Sequence, residues 1–218
     1  MPDLFEHTAK TKRKSKLYSA KDIEVLEGLE PVRRRPGMYI GSTDERGLHH
    51  LVAELLDNAM DEAVAGEATH IDLELNKDGS VTVRDNGRGI PTDPHPRFKS
   101  KSALEVILTT LHSGGKFGGK AYETSGGLHG VGLSVVNALS DHLIVEVARD
   151  KAVWRQSYLR GNPTGKLKNI GKVSNRRGTS VTFHPDPKIF DLKARFRPST
   201  LYRMARSKAY LFRGVYIR

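Results

Sequence analysis

The sequence contains no cysteine, which excludes a disulfide framework and a thiolate metal site and favours a reducing compartment. No stretch approaches the roughly 18 consecutive apolar residues of a membrane-spanning helix, and the polar N-terminus does not resemble a signal peptide. Aromatic residues make up only 7% of the 218 residues, too few for an array that stacks on nucleic-acid bases. We therefore expect a soluble domain with no membrane association.

Positive charge is in excess, because 36 lysine and arginine residues stand against 25 aspartate and glutamate residues, a formal net charge of +11. The cations cluster within residues 10–16, 33–35 and 188–218. Each cluster alone fits a solvated surface, but together they indicate a nearby anion or polyanion. The first cluster lies in residues 1–17, a basic arm that has little apolar content and is expected to be disordered.

Hydrophobic periodicity predicts an α+β fold. Apolar residues recur at helical spacing over 43–66, and alternation on both sides of residues 76–79 predicts a β-hairpin of 70–75 and 80–84. Short connections between later strands favour a two-layer sandwich, in which helices cover one face of a mostly antiparallel mixed sheet. The other predicted elements are helices at 19–28, 102–112, 128–140 and 199–212, and strands at 143–148, 153–159, 166–173 and 179–183.

A polar stripe runs along the predicted helix at 43–66. It consists of His50, Glu54, Asn58 and Asp61, whose spacing places them on one side of a helix. Glu54 could accept a proton from a water molecule that His50 orients, and the side-chain oxygen of Asn58 suits Mg²⁺. Taken alone, this helix is explained more simply by an ordinary polar face.

A second motif, Asp85-Asn86-Gly87-Arg88-Gly89-Ile90-Pro91, directly follows a predicted strand. Its glycines let the backbone approach a ligand closely, which predicts that the Asp85 carboxylate lies at the mouth of a pocket. There it could accept a hydrogen bond from an exocyclic amine. Arg88 is expected to pair with Glu62 of the long helix. A simple Asn-Gly turn is the alternative explanation.

A third motif, Ser125-Gly126-Gly127-Leu128-His129-Gly130-Val131-Gly132, opens a predicted helix after a long loop rich in glycine and lysine. Glycines and a helix N-terminus present backbone N–H groups to an anion, and Lys116 in the loop could contact a phosphate. The segment 114–121 matches the first part of a Walker A motif, but it lacks the final Ser or Thr and follows a predicted helix. We therefore reject that hypothesis.

Together the three motifs resemble the nucleotide-binding motifs of the Bergerat-fold (GHKL) ATPases. Within that superfamily, residues 18–218 most resemble the N-terminal ATPase domain of bacterial type II topoisomerase ATPase subunits, topoisomerase IV ParE and gyrase B. Further matches are RPGMYIG at 35–41, LHSGGKF at 111–117 and SGGLHGVGLSVVNALS at 125–140. The segments 93–96 and 120–125 favour topoisomerase IV over gyrase.

The resemblance implies a role for each matching residue. Glu54 would be the general base and His50 its partner. Asp85 would recognise adenine, and Thr179 would assist it through a water molecule. Asn58 would be the Mg²⁺ ligand. Arg88 and Arg155 match positions at the pocket mouth, where ATP-site inhibitors bind. The residues implied to contact the nucleotide are Tyr18, Asn58, Asp85, Gly89, Ile90, Pro91, Lys116, Tyr122, Gly127, Leu128, His129, Gly130, Val131, Gly132 and Thr179.

The resemblance also implies partners. Binding of ATP and Mg²⁺ would close a dimer clamp on DNA. The clamp would form between two copies of the subunit, and the assembly would include the DNA-cleaving A-type subunit, ParC or GyrA. A location in the bacterial cytoplasm follows. Because the transducer, TOPRIM and C-terminal regions of such subunits are absent from the sequence, we expect a monomeric fragment with weak ATPase activity that also binds ATP-competitive inhibitors.

Two other hypotheses fit parts of the pattern. A sensor-kinase ATP domain shares the fold, but residues 1–17 cannot supply its phosphoacceptor helix pair, and kinases normally lack the RPGMYIG motif. A basic nucleic-acid-binding module without catalysis would explain the charge, but it is disfavoured by the small number of aromatic residues.

Overall fold

The computed structural model describes residues 19–114 and 130–218. Within these residues, a 3₁₀ turn at Ala20–Asp22 precedes the helices and strands. The helices are α1 (Glu30–Arg34), α2 (Gly37–Ile40), α3 (Glu45–Val64), α4 (Ala103–Thr109), α5 (Gly132–Ala138) and α6 (Pro198–Leu211). The strands are β1 (His70–Leu75), β2 (Val81–Asp85), β3 (Ser140–Arg149), β4 (Ala152–Leu159), β5 (Asn162–Pro163), β6 (Lys168–Lys172), β7 (Gly178–Pro185) and β8 (Tyr216–Ile217).

The eight strands form one sheet in the order β5-β4-β3-β7-β2-β1-β8, and β6 pairs with β4. The pairs are antiparallel except for β1 and β8, which run parallel. Side chains on one face of the sheet, such as Val145, Val181 and Phe183, are buried in a single core with α3 and α5. The predicted two-layer α+β sandwich, with a mostly antiparallel mixed sheet, is confirmed.

Helix α3 crosses the covered face of the sheet and carries the polar stripe. It begins after Asp44, whose side chain accepts hydrogen bonds from the backbone N–H groups of Arg46 and Gly47. A hydrogen bond from the Ser42 hydroxyl is the largest cause that lowers the pKa of Asp44 to about 2, and the two backbone bonds add to it. The apolar side of α3 is buried through Leu48, Leu51, Val52, Leu55, Leu56, Ala59 and Ala63.

Three predicted helices are shorter than expected, among them the one at 102–112, where α4 ends at Thr109. The capping box of Ser19 and Asp22 forms, but it starts only a single 3₁₀ turn in place of the helix predicted at 19–28. The following apolar side chains Ile23 and Val25 are exposed, so no core contact extends the helix. Within the predicted helix at 128–140, α5 starts only at Gly132.

Four small elements were not predicted. They are the short helices α1 and α2 and the two-residue strands β5 and β8, of which β8 adds a parallel edge to β1 through only two residue pairs. Two residues are too few to show any periodicity, so tertiary pairing alone determines this strand. Among the described residues, no helix has the length and apolar character needed to cross a membrane.

An ion-pair cluster joins α1 to the end of the sheet. The fully buried Asp186 carboxylate contacts Arg33 at 2.6 Å and Arg160 at 3.0 Å, and it accepts a hydrogen bond from the backbone N–H of Lys188. Burial alone would raise the pKa of Asp186, but the hydrogen bonds and the two guanidinium groups hold it below its usual value. The cluster therefore stabilises the fold while the carboxylate is ionised.

We expect Asp186→Ala to lower the free energy of unfolding by about 2–4 kcal/mol, because it leaves two arginines without their buried counter-ion. Denaturant unfolding at pH 7 measures this, with the exposed Asp191→Ala as the matched control. Because the folded-state pKa of Asp186 is lowered, its contribution is present above about pH 4 and is lost as the pH falls further. Equal unfolding free energies for the two variants at pH 7 would contradict the prediction.

Candidate functional site

The polar stripe of α3 runs from the protein surface towards the core. His50 Nε2 lies 3.3 Å from Glu54 Oε1, and both side chains are partly exposed. The hydrogen bond with Glu54 is the largest cause that raises the pKa of His50 above its usual value. Asn58 follows one turn later and is half-buried, while Asp61 is buried. Glu54 thus has an imidazole partner one turn before it and an amide one turn after it.

The start of α5 lies directly against Glu54. A Cβ atom at Gly132 would lie 2.2 Å from Glu54 Oε2, so only glycine leaves room for the carboxylate in this position. Gly130, two residues earlier, has a φ of 60°, a conformation that favours glycine. This part of the third motif therefore adjoins the carboxylate predicted to act as a general base.

Asp85 lies at the end of β2, on the face of the sheet that α3 covers. Its Oδ1 atom accepts hydrogen bonds from the backbone N–H of Gly87 at 2.8 Å and from that of Thr179 at 3.3 Å. The Thr179 hydroxyl in turn accepts a hydrogen bond from the backbone N–H of Ile90. Thr179 thus lies beside Asp85 and helps to fix the orientation of its carboxyl group, while the assistance of Thr179 through a water molecule stays a prediction.

Burial at the end of β2 changes the acidity of the Asp85 carboxyl group. Its pKa is raised to about 6: burial is the largest cause, the backbone hydrogen bonds from Gly87 and Thr179 oppose the rise, and the charge of Glu62 contributes to it. A carboxylate held in an apolar site binds a donor more strongly than one in water. An amine that reaches Oδ2 would therefore be recognised by a partly desolvated acceptor.

The loop after Asp85 is anchored to α3. Arg88 donates to both carboxylate oxygens of Glu62, at 3.1 Å and 2.8 Å, and its backbone N–H also bonds to Glu62. The predicted pairing of Arg88 with Glu62 is thus confirmed. Glu54 and Glu62 are two turns apart, which places them about 12 Å apart along the helix axis. Helix α3 therefore connects the Asp85 loop with the start of α5.

Two contacts that hold this loop were not anticipated. Arg149 donates to the backbone carbonyl of Gly89 at 2.9 Å. At Gly178, which has a φ of 115°, a Cβ atom would lie 2.0 Å from the Asp85 carbonyl oxygen. Arg149 comes from the end of β3, 60 residues away in sequence, and no local pattern signals such a contact. A glycine directly before Thr179 was the only available sign of close strand approach.

The structure does not bring Arg155 to this site. Arg155 is paired in register with Glu146, Glu146 with Ser180, and Ser180 with Arg84. Paired residues share one face of a sheet and successive residues alternate, so Arg155 lies on the face opposite to Asp85. There it forms an ion pair with Glu146, which Arg176 also contacts. Its place at the pocket mouth stays a prediction.

Several predicted contact residues lie outside the described part of the chain. The backbone N–H of Ser113 donates to the carbonyl of Gly130 at 3.2 Å, so the chain leaves and re-enters the described structure at adjacent points beside Glu54. Gly89, Ile90, Pro91, Gly130, Val131, Gly132 and Thr179 are described. Tyr18, Lys116, Tyr122, Gly127, Leu128 and His129 are not.

The donor set on α3 suits a hard cation. Glu54 and Asn58 present carboxylate and amide oxygens on successive turns of one helix face, and Mg²⁺ prefers oxygen ligands while it keeps several of its water molecules. The residues present are therefore compatible with a magnesium ion that is also bound by phosphates.

Residues 43–189 match the family described as histidine kinase-, DNA gyrase B-, and HSP90-like ATPase. The match covers α3, the Asp85 loop, α5 and Thr179, which are the parts that form the site. The chain belongs to this ATPase family. The superfamily that the three motifs predicted is therefore confirmed.

Curated proteins of two kinds are similar to this chain over most of its length. It is 64% identical over 201 residues to the B subunit of DNA topoisomerase 4 from Caulobacter vibrioides, a match that covers 92% of this chain and 29% of the relative. It is 59% identical over 219 residues to the corresponding protein of Rickettsia felis, covering 100% of this chain and 33% of the relative. The DNA gyrase B protein of Synechocystis is 57% identical over 200 residues, covering 92% and 18%. The chain thus spans about a third of its topoisomerase 4 relatives.

A solved structure shares the fold of this ATPase. The 43K ATPase domain of Thermus thermophilus gyrase B, in complex with an aminocoumarin, superposes with a TM-score of 0.77 at 49% sequence identity. The similarity covers 87% of this chain and 47% of that chain. The mostly antiparallel sheet with helices on one face is therefore the fold of the gyrase B ATPase domain.

Proposed function

We propose that residues 18–218 bind and hydrolyse ATP as the ATPase domain of a ParE-type topoisomerase IV subunit. The observation that carries this proposal is the placement of Asp85 beside α3, the helix that carries Glu54. The desolvated Asp85 carboxyl group stands at one end of the site, and the His50–Glu54 pair stands against the start of α5 at the other. The first position suits the adenine amino group and the second suits the terminal phosphate.

In the proposed reaction, a water molecule attacks the γ-phosphate in line with the leaving oxygen. Glu54 accepts the proton of this water, and His50 holds the Glu54 carboxylate in place through its hydrogen bond. Mg²⁺, when bound, supplies positive charge that stabilises the phosphates, and Asn58 would be its protein ligand. Lys116 and residues 127–132 would hold the triphosphate, and Tyr122 would contact the nucleoside. Tyr18 would reach across a dimer to the nucleotide site of a partner copy.

Binding is tested by isothermal calorimetry with a non-hydrolysable Mg·ATP analogue. The proposal requires a single saturable site on the 218-residue chain and competition by an aminocoumarin, the inhibitor class bound by the gyrase B neighbour. Folded protein that takes up no adenine nucleotide would refute the proposal. A thermal shift with DNA but none with the nucleotide would instead support the nucleic-acid-binding alternative.

The position of Gly132 provides a sharper test of the hydrolytic half of the site. We expect Gly132→Ala to lower the ATP turnover rate at least tenfold, because its Cβ would occupy the space of Glu54 Oε2, and displacing a positioned base by 1 Å costs about 10²-fold. Steady-state phosphate release measures the effect. Gly165→Ala, where a Cβ meets nothing within 4 Å, is the control, and equal rates for the two variants would contradict the prediction.

The action of the whole protein is a further part of the proposal. With regions beyond this domain, ATP binding would close a dimer clamp on DNA beside the A-type subunit in the bacterial cytoplasm, and the domain alone would be a weakly active monomer. The 57% identity to a gyrase B favours gyrase as the second candidate. The full-length protein assembled with its DNA-cleaving partner separates the two, since decatenation supports topoisomerase IV and negative supercoiling supports gyrase.

A further inference from the structure

Three side chains that the nucleotide site does not use meet at the far end of the sheet. The Asp141 Oδ1 atom lies 2.7 Å from His142 Nδ1 and 3.0 Å from His184 Nδ1. The two imidazole rings stack with a centroid separation of 5.1 Å and an interplanar angle of 6°. One potential ligand atom from each residue lies within 4.8 Å of the others. The cluster therefore brings two imidazole nitrogens beside the same carboxylate oxygen.

A β-bulge creates this arrangement. In the pairing of β3 with β7, Ser140 is opposite Pro185 and His142 is opposite His184, so Asp141 is an additional residue between two regular pairs. Neighbouring residues of a regular strand point to opposite faces. The bulge instead allows Asp141 and His142 to approach one another, and bulges are a common means of redirecting a side chain next to a functional site.

We propose that Asp141, His142 and His184 form a binding site for a divalent transition-metal ion such as Zn²⁺. Zinc is held by histidine nitrogens at about 2.0–2.1 Å and carboxylate oxygens at about 2.0–2.2 Å in tetrahedral geometry, which places ligand atoms about 3.3 Å apart. The two nitrogen–oxygen contacts would therefore lengthen by about half an ångström, and the stacked rings would rotate so that both nitrogens face the ion. Water completes the fourth position.

Access and charge support this assignment. The three side chains are 27–44% exposed, which leaves an entry path for the ion and room for the water ligand. The carboxylate offsets part of the charge of the ion. The Asp78 carboxylate is also close to His184, which contributes to the lowered pKa of Asp78. This carboxylate adds negative potential beside the cluster. Two nitrogens and one oxygen suit zinc better than Mg²⁺.

This site is separate from the nucleotide site. Thr179 and His184 are five residues apart on β7, about 17 Å along an extended strand, and an odd separation places them on opposite faces of the sheet. Metal binding would add a cross-link between the paired strands β3 and β7 at the end remote from Asp85. We therefore expect zinc to stabilise the domain without competing with Mg·ATP.

The test is a calorimetric titration of ZnCl₂ into the zinc-free 218-residue chain, in a buffer that contains Mg²⁺ but no nucleotide. We expect one site, with an affinity at least tenfold weaker in His142→Asn and in His184→Asn, since even the loss of a residue behind a metal ligand costs about 10- to 100-fold. His95→Asn, which changes a partly exposed histidine elsewhere, should change the affinity less than twofold. No zinc uptake by the wild type, or unchanged affinity in both cluster variants, overturns the proposal.

A measurement on the wild type avoids any dependence on variant folding. Zinc should shift the imidazole ¹⁵N resonances of His142 and His184 at Nδ1 and leave that of His95 unchanged. Shifts confined to other histidines would overturn the assignment. Because Mg·ATP affinity should stay within twofold in His184→Asn, a negative zinc result leaves the proposed ATPase function unaffected, and a negative ATP result leaves the zinc site unaffected.

Discussion

The Glu54→Gln variant should bind a Mg·ATP analogue with an affinity within about threefold of the wild type, yet turn over ATP about 10²- to 10⁴-fold more slowly. Glutamine preserves the size and hydrogen-bonding capacity of the side chain but cannot accept a proton from water, and a positioned general base contributes a rate factor of this order. Calorimetry and phosphate release measure the two quantities. A fall in kcat with unchanged binding assigns Glu54 to the chemical step.

The matched control is Glu74→Gln, which changes an exposed glutamate of β1. It should leave both quantities unchanged, since Glu74 lies outside the covered face that carries α3. Turnover by Glu54→Gln at the wild-type rate would exclude Glu54 as the base. A parallel loss of binding would instead indicate that Glu54 mainly positions the nucleotide or its metal ion.

Asp85→Asn should weaken adenine-nucleotide binding about 10- to 100-fold. A hydrogen bond to a charged acceptor is worth about 1.5–3 kcal/mol, and the amide that replaces the carboxylate can also turn an N–H donor towards the adenine amino group. Calorimetry with the Mg·ATP analogue measures the loss. Asp72→Asn on the open face of β1 is the control. Equal affinities in the two variants would exclude Asp85 as the adenine-binding group.

The pKa of Asp85 gives this variant a second signature. Since burial raises the folded-state pKa to about 6 from its ordinary value of 3.8, the folded protein holds a proton that the unfolded chain has released between about pH 4 and 6. The contribution of Asp85 to stability is therefore present at low pH and is lost as the pH rises through this window. Asp85→Asn should remove this pH dependence and remain at least as stable as the wild type at pH 7, so weakened binding is not explained by unfolding.

The sequence was sufficient where a pattern is local. The apolar stripe of α3, the hairpin of β1 and β2, and the Arg88–Glu62 pair all follow from spacing and charge within one or two elements. The contact of Arg149 with Gly89 and the approach of Asp141 to His184 depend on how distant strands pair. The face of the sheet on which Arg155 lies could not be predicted for the same reason, because it depends on the register of four paired strands, β4, β3, β7 and β2.

The hydrogen bond between Ser113 and Gly130 has a practical consequence for protein engineering. It ties together the two points at which the intervening segment joins the described structure. A pair of spectroscopic labels, one attached beside Ser113 and one beside Gly130, would therefore report whether this closure persists in solution. The labels would sit close to Glu54, where a bound triphosphate would alter their signal.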